Sequence, residues 1–229
     1  MKISGKIKAS WILFEFLITV TVVIILMRLF NSKQWLIRKS WAKMQAYLTG
    51  YDLEVIGSAD EHTQLLLLNH QSLLDIIILD ASYPKDLCWV AKKEIADMPF
   101  FGQILTLPKM VIIDRENKKS LVKLVSDAKE RLQEGRVIAM FPEGTRGDGK
   151  KLLPFKMGAK LLASKLNLKV QPAVIINTRT ILDSLNFTAK SGKVKIIYLD
   201  PIDPKEDKEW FTKLHKKMQE IIDRETKSS

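Results

Sequence analysis

The sequence predicts an α/β domain, built on a mixed, largely parallel sheet flanked by helices and preceded by an N-terminal two-helix membrane-associating hairpin. Three observations carry that prediction. After Gly50, short β-rich runs alternate with helical ones, the pattern of strand and crossover units. Before Gly50, Trp11 to Met27 is an almost unbroken apolar run followed by a basic, tryptophan-bearing segment. Three groups of polar residues each follow a predicted strand, at the edge where open α/β sheets place ligands.

The 229 residues are 46% hydrophobic and 28% charged, enough for one substantial core. Residues 51–229 therefore read as one domain and 1–50 as its helical appendage. With one cysteine, no internal disulfide can form, and Cys88, inside "LCWV", reads as core rather than nucleophile. Three histidines and that cysteine show no zinc-ligand spacing, so no metal is expected. A net charge of +11 suits a polyanionic partner. The apolar run selects a lipid surface over nucleic acid, and no basic stripe interleaved with aromatics supports a nucleic-acid partner.

Element by element, the hairpin comes first. As a helix, Trp11 to Met27 covers roughly 25 Å at about 1.5 Å per residue, short of the ~30 Å hydrocarbon core, and Glu15 interrupts it. Cations flank it on both sides: Lys2, Lys6 and Lys8 before, Arg28, Lys33, Arg38, Lys39 and Lys43 after. "KQWLIRKSWAKMQAYL" mixes Trp35, Leu36, Trp41, Met44 and Leu48 with cations, as an interfacial helix does. A hairpin dipping into one leaflet is expected, with a single span as the alternative and a buried hairpin packed on the globular core as the competing structural reading. In the domain, "LEVIG" and "TQLLLLN" read as strands and "SLLDIIILDASY" as a helix. "LCWVA" is a strand, "KKEIADMPFFGQIL" a helix broken near Pro99, and "KMVIID" a strand. "SLVKLVSDAKERLQEG" is an amphipathic helix closed by Gly135. The strands "RVIAMF" and "KVQPAVII" flank a helix over 157–166. "KVKIIYLD" is the last strand, Lys205 to Glu225 the terminal helix, and "ETKSS" a disordered tail.

Asn69-His70, Asp114-Arg115 and "PEGTRG" are the three polar groups that follow strands. If the strands are parallel, they converge. His70 suits a general base, worth roughly 10²–10⁴ in rate. Asp75 can reach it by a fold-back of the loop, fixing the tautomer and stabilising the imidazolium. Ser72 with Asp75 also reads as a helix capping box, a role compatible with the first. No G-x-S-x-G nucleophile elbow is present, so the activated hydroxyl must come from the substrate. Arg115 and Arg146 suit a phosphate, Gly144 and Gly147 let backbone amides approach an anion, and Lys156 adds a cation. The competing structural readings are these: Glu143 pairs with Arg146 or Arg115 to stabilise a turn, Pro172 breaks an edge strand, and His62 and His215 are solvated.

"NHQSLLD" resembles the H-x4-D block, and "FPEGTR" the second signature, of the glycerolipid acyltransferase family typified by 1-acyl-glycerol-3-phosphate acyltransferase. "VIIDR" resembles the block between them and "VQPAVI" the proline-containing fourth block, so the likeness runs in order from Leu65 to Ile176. It implies that His70 and Asp75 are the catalytic pair, that Arg115, Glu143, Gly144, Thr145 and Arg146 form the glycerol-phosphate site, and that Pro172 and Val174 border the acyl channel. The implied reaction moves a fatty acyl group from acyl-CoA or acyl carrier protein, as co-substrate and with no cofactor, to the sn-2 hydroxyl of lysophosphatidic acid. No covalent acyl-enzyme forms, and the product is phosphatidic acid for phospholipid biosynthesis. Separately, the absence of disulfides, the basic flanks and the compact chain suggest a monotopic or peripheral setting on the cytoplasmic face of a bacterial inner membrane, among phospholipids. One departure stands out: where the family often has glycine, six residues before the arginine of its block, this chain has Lys109. Two alternatives remain open, a relative acylating another lysolipid and a non-catalytic basic membrane-surface protein.

Overall fold

A computed structural model of the chain describes residues 2–114 and 120–227. Helices α1 (Lys2–Leu29) and α2 (Gln34–Thr49), joined by a 3-10 turn at Asn31–Lys33, form the hairpin. Gly50 ends it at φ +72, the left-handed cap position that glycine adopts without a Cβ penalty, and turns the chain into β1 (Tyr51–Ile56). There follow β2 (Leu65–Leu68), α3 (Leu74–Ser82), β3 (Leu87–Lys92), the short α4 (Lys93–Ala96) and α5 (Gln103–Thr106), and β4 (Val111–Ile113). The second half runs α6 (Ser120–Gln133), β5 (Val137–Met140), α7 (Met157–Leu166), β6 (Val170–Ile176), α8 (Thr178–Ile181), a small ribbon β7 (Leu182–Asp183) and β8 (Thr188–Ala189), β9 (Gly192–Tyr198) and α9 (Trp210–Lys227).

The main sheet has the order β1-β9-β6-β2-β5-β3-β4. From β6 to β4 all neighbours are parallel; β9 runs antiparallel to β6 and parallel to β1. Strands covered on both faces read as continuous apolar runs, and "LLLL" of β2 is fully buried at the middle of the sheet. In α9, Trp210, Phe211, Leu214, Met218, Ile221 and Ile222 make one buried stripe at helical spacing. Two sequence expectations shift here. The terminal helix starts at Trp210 rather than Lys205 and continues through the expected tail to Lys227. Pro172 is not on an edge strand, because β6 lies between β2 and β9. It is tolerated there because the β6–β9 ladder ends at Ala173↔Tyr198. The Leu199 carbonyl beyond it is served by Gln171 Nε2 (3.2 Å) instead of a Pro172 amide.

The hairpin shares the core of the domain, with Ala42 in the main apolar cluster. Ser4–Leu29 is long and apolar enough to cross a membrane by length and composition. Even so, α1 is packed along its length. Ala9 and Ile12 meet Ala189 and Leu182 near its start, and Val20, Val23, Ile24 and Met27 meet Phe101, Ile104 and Leu107 near its end. Its other face exposes Trp11, Phe14, Ile18, Val22, Ile25 and Leu29, a stripe at three- and four-residue spacing. In α2 the usual arrangement is inverted: Arg38, Ala42, Gln45 and Thr49 are buried while Trp35, Leu36 and Met44 are exposed. Buried polar groups meet across the seam, with Glu15 Oε1 left without a hydrogen-bond partner among the described residues. Glu15 accepts from Gln45 Nε2 (3.1 Å), and Thr19 Oγ1 accepts from Gln45 and from Trp41 Nε1 (3.0 Å). The Glu15 that interrupts the apolar run is therefore turned into the hairpin seam.

Candidate active site

Three adjacent parallel strands, β6, β2 and β5, converge at their carboxyl ends, and the residues that follow them build the site. Asn69, the first residue past β2, is buried; its Nδ2 donates to the Ile175 carbonyl (2.9 Å) and its Oδ1 accepts from the Ile175 amide (2.7 Å). A primary amide carries donor and acceptor as a peptide does, so Asn69 extends the β2–β6 ladder by one rung through its side chain. Gln71 Nε2 donates to the same carbonyl (2.7 Å). Between these two pins stands His70. Its backbone N–H donates to Glu143 Oε1 (2.8 Å), and its carbonyl accepts from the Gly147 amide (2.8 Å).

Asp75, fully buried on the first turn of α3, closes back on this loop. Its Oδ2 sits 2.8 Å from His70 Nδ1 and also accepts from the amides of Gln71 (2.7 Å) and Ser72 (2.9 Å), while Oδ1 accepts from the Thr178 hydroxyl just past β6. Four donors on one buried carboxylate compensate its desolvation. Only half of the expected capping box forms. Asp75 receives the Ser72 amide, but Ser72 Oγ accepts from Leu74 and donates to the Leu182 carbonyl (2.7 Å). With Nδ1 engaged, His70 presents Nε2 on the opposite ring edge; among the described residues no serine, threonine or cysteine side chain is bonded to the ring. The imidazole lies flat on Phe141, 3.9 Å between centroids at 8°.

Beside His70 runs the loop that follows β5. Among the described residues Glu143 pairs with no arginine; it is 2% exposed, and its second oxygen accepts from the Leu153 amide (2.8 Å). Both carboxylate oxygens thus accept from backbone amides on either side of the loop. Burial, with lesser contributions from Asp75 and Asp148, pushes its carboxyl up to about 7 against the pull of those two amides. Gly144 takes φ +75, a turn that excludes most side chains. A Cβ on Gly147 would come 3.3 Å from Glu143 Oε2. Thr145, Arg146 and Lys156 are exposed, with Arg146 bonded to Ser184 Oγ and the Lys156 amide to the Pro142 carbonyl (2.8 Å). Arg179 Nη1 donates to the Gly147 carbonyl (2.8 Å), so loop and His70 are one hydrogen-bonded unit.

Arg115, expected here, lies outside the described residues; Asp114, just before it, follows the end of β4 at Ile113. Pro172 and Val174 are buried in the sheet, Pro172 opposite Leu67 and Val174 opposite Ile197. Lys109 adopts φ +51, which accounts for the glycine often found there in the resembled family. His62 is exposed as expected. His215 is not solvated: it is half-buried, 3.2 Å from the Leu153 carbonyl and edge-on to Phe155. A surface groove of about 530 Å³ between Lys150–Leu152 and α9 shares no residue with the site. Thr178, Gln71 and Arg179 were missed at the sequence level. Thr178 and Arg179 lie past β6, and Gln71 is an ordinary polar neighbour of His70; no local pattern marks their long-range bonds.

The profile of the family described as Acyltransferase matches residues 51–176. A 1-acyl-sn-glycerol-3-phosphate acyltransferase of Helicobacter pylori is 44% identical, over 86% of this chain and 85% of its own length. A lyso-ornithine lipid O-acyltransferase of Rhizobium meliloti is 36% identical over 55% of this chain and 42% of its own. Among solved structures, the crystal structure of a 1-acyl-sn-glycerophosphate (LPA) acyltransferase from Thermotoga maritima matches with a TM-score of 0.68. It covers 91% of this chain and 94% of its own at 22% identity, a likeness of fold.

Proposed function

This chain belongs to the acyltransferase family, and on that premise we propose that it acylates the sn-2 hydroxyl of lysophosphatidic acid from an acyl thioester, making phosphatidic acid. The observation that carries the reading is the buried Asp75 carboxylate 2.8 Å from His70 Nδ1, with Nε2 left for a substrate. His70 Nε2 takes the proton of the acceptor hydroxyl as its oxygen attacks the thioester carbonyl. The carbon–sulfur bond breaks, and the leaving thiolate takes the proton back from the imidazolium. Asp75 offsets the imidazolium charge during that interval. The acceptor phosphate is assigned to Arg115, Thr145, Arg146 and Lys156 together with the amides of Thr145 and Arg146 on the turn that Gly144 opens, a cationic setting that suits an anion. Glu143 shapes that loop from behind.

The donor is acyl-CoA or acyl carrier protein; both are acidic and suit the net charge of +11. The hairpin seats the enzyme in one leaflet of the membrane, at the cytoplasmic face, with the exposed stripe of α1 and the apolar outer residues of α2 toward lipid. The test is acyl transfer from a labelled thioester to lysophosphatidic acid by detergent-purified protein, comparing wild type, His70→Ala and Arg115→Ala, with melting curves for all. Turnover abolished in His70→Ala and a raised acceptor KM in Arg115→Ala, both folded, supports the reading. Transfer to other lysolipids alone moves the acceptor within the family, a possibility raised by the lyso-ornithine relative; no transfer to any of them overturns the enzyme reading.

A further inference from the structure

Resting on the assignment of His70 as the base, we propose that Trp89 is a positioning residue for its imidazole, held through Asp80 by Arg38 of the membrane hairpin. Trp89 is 3% exposed in β3 and stacks on Phe141, 5.2 Å between centroids at 18°. Phe141 in turn lies on His70, so three nearly parallel rings form a column ending at the base. The indole Nε1 donates to Asp80 Oδ1 (2.9 Å), and the other oxygen of Asp80 is 3.5 Å from Arg38 Nε. Arg38, 3% exposed on α2, is locked further by Asp86 Oδ1 (2.8 Å) and the Leu87 carbonyl (3.3 Å).

Two features separate this column from ordinary core packing. Leucine or phenylalanine would supply apolar volume at a buried strand position, whereas an indole N–H bonded to a buried carboxylate also fixes the ring's rotation. Asp75 and Asp80 both belong to α3. One helix therefore holds the edge of the imidazole directly and braces its face through Trp89 and Phe141. A single hydrogen bond at Nδ1 leaves the ring free to swing about the Nδ1···Oδ2 line. The stack removes that freedom and so fixes the direction of Nε2. Misplacement by about 1 Å can lower a rate by about 10²-fold, and an imidazolium over an aromatic face is stabilised as it forms. Because Arg38 is the outer anchor, the seat of the hairpin on the domain and the aim of the base are mechanically joined.

The test compares full-length wild type, His70→Ala, Trp89→Leu, Trp89→Phe and Arg38→Lys in vesicles, measuring kcat and both KM values well below each melting temperature. Trp89→Leu is expected to lower kcat by roughly 10- to 100-fold with both KM values held, and Trp89→Phe, which restores a ring to the column but not the N–H to Asp80, to recover part of it. Arg38→Lys, which keeps a cation in the buried cluster but loses the fork, is expected to lower kcat by about threefold or more while the protein stays vesicle-bound. Wild-type kcat in Trp89→Leu overturns the proposal, as does a loss confined to KM. Equal kcat losses in the leucine and phenylalanine variants that track their melting temperatures overturn it too. If Trp89→Leu does not fold, Arg38→Lys decides, and wild-type kcat there overturns the proposal. Turnover retained in His70→Ala instead refutes the base assignment, whatever Trp89 does.

Discussion

Replacing Asp75 by asparagine separates the charge of the His70–Asp75 pair from its geometry. Asp75 Oδ2 accepts from three N–H groups, His70 Nδ1 and the amides of Gln71 and Ser72, whereas Oδ1 meets one hydroxyl, that of Thr178. An asparagine amide facing three donors would be repelled, so its carbonyl oxygen takes the Oδ2 place. Its NH2 then meets Thr178 Oγ1, a hydroxyl that can rotate to accept. Heavy atoms, ring orientation and tautomer all survive, and one negative charge disappears. At about 4 Å and an effective dielectric of about 20, a full imidazolium charge loses about 4 kcal/mol of attraction. A transition state with about half the proton transferred loses about 2 kcal/mol. At about 1.4 kcal/mol per tenfold, kcat falls by between roughly 30-fold and 10³-fold, with KM for both substrates retained. The assay is steady-state acyl transfer with circular-dichroism melting on the same preparations. A kcat within about threefold of wild type, in a protein that melts normally, would falsify the role given to the carboxylate.

Three further outcomes follow from the same geometry. Glu143 has a folded value of about 7 against an ordinary 4.5, so the folded state binds the extra proton between these values. Its contribution to stability is fully present below about pH 4.5 and is lost as pH rises through 7, about 3 kcal/mol in all. Glu143→Gln should remove that slope from the variant's own profile, so that the difference in stability between variant and wild type changes with pH across pH 5–8, and parallel profiles would refute the buried-carboxyl account. Lys109→Gly should raise the melting temperature, by relief of a left-handed backbone worth roughly 1–2 kcal/mol, less the larger entropy of the unfolded glycine chain; a lower melting temperature contradicts the strain. Phe14→Arg with Ile25→Arg, both on the exposed stripe of α1, should abolish flotation with anionic vesicles without altering the melt in detergent. Undiminished flotation would place the lipid contact elsewhere.

The sequence by itself determined the alternation of strands and helices after Gly50, the break near Pro99, the apolar run of α1 and the placing of His70, Asp75 and the 142–147 loop after strands. Each of these is local. Apolar spacing, glycine, proline and a short motif act within a few residues of one another, so the chain displays them before it folds. Only the tertiary structure decided that β2 lies between β5 and β6, and with it that Glu143, past β5, reaches the His70 amide while Thr178, past β6, reaches Asp75. The same holds for the role of Glu143. A carboxylate in "PEGTRG" looks like a ligand or an ion-pair partner until two backbone amides, from His70 and Leu153, are brought to it. Pro172 read as an edge-strand break because its missing donor is visible in sequence, while the Gln171 side chain that serves the facing carbonyl is not. In α2 the mix of apolar residues and cations read as an interfacial helix, and nothing in it marked Arg38 or Gln45 for burial. Both are buried because Asp80, Asp86 and Glu15 wait on other elements, and a polar side chain enters a core when, and only when, the fold supplies its partner.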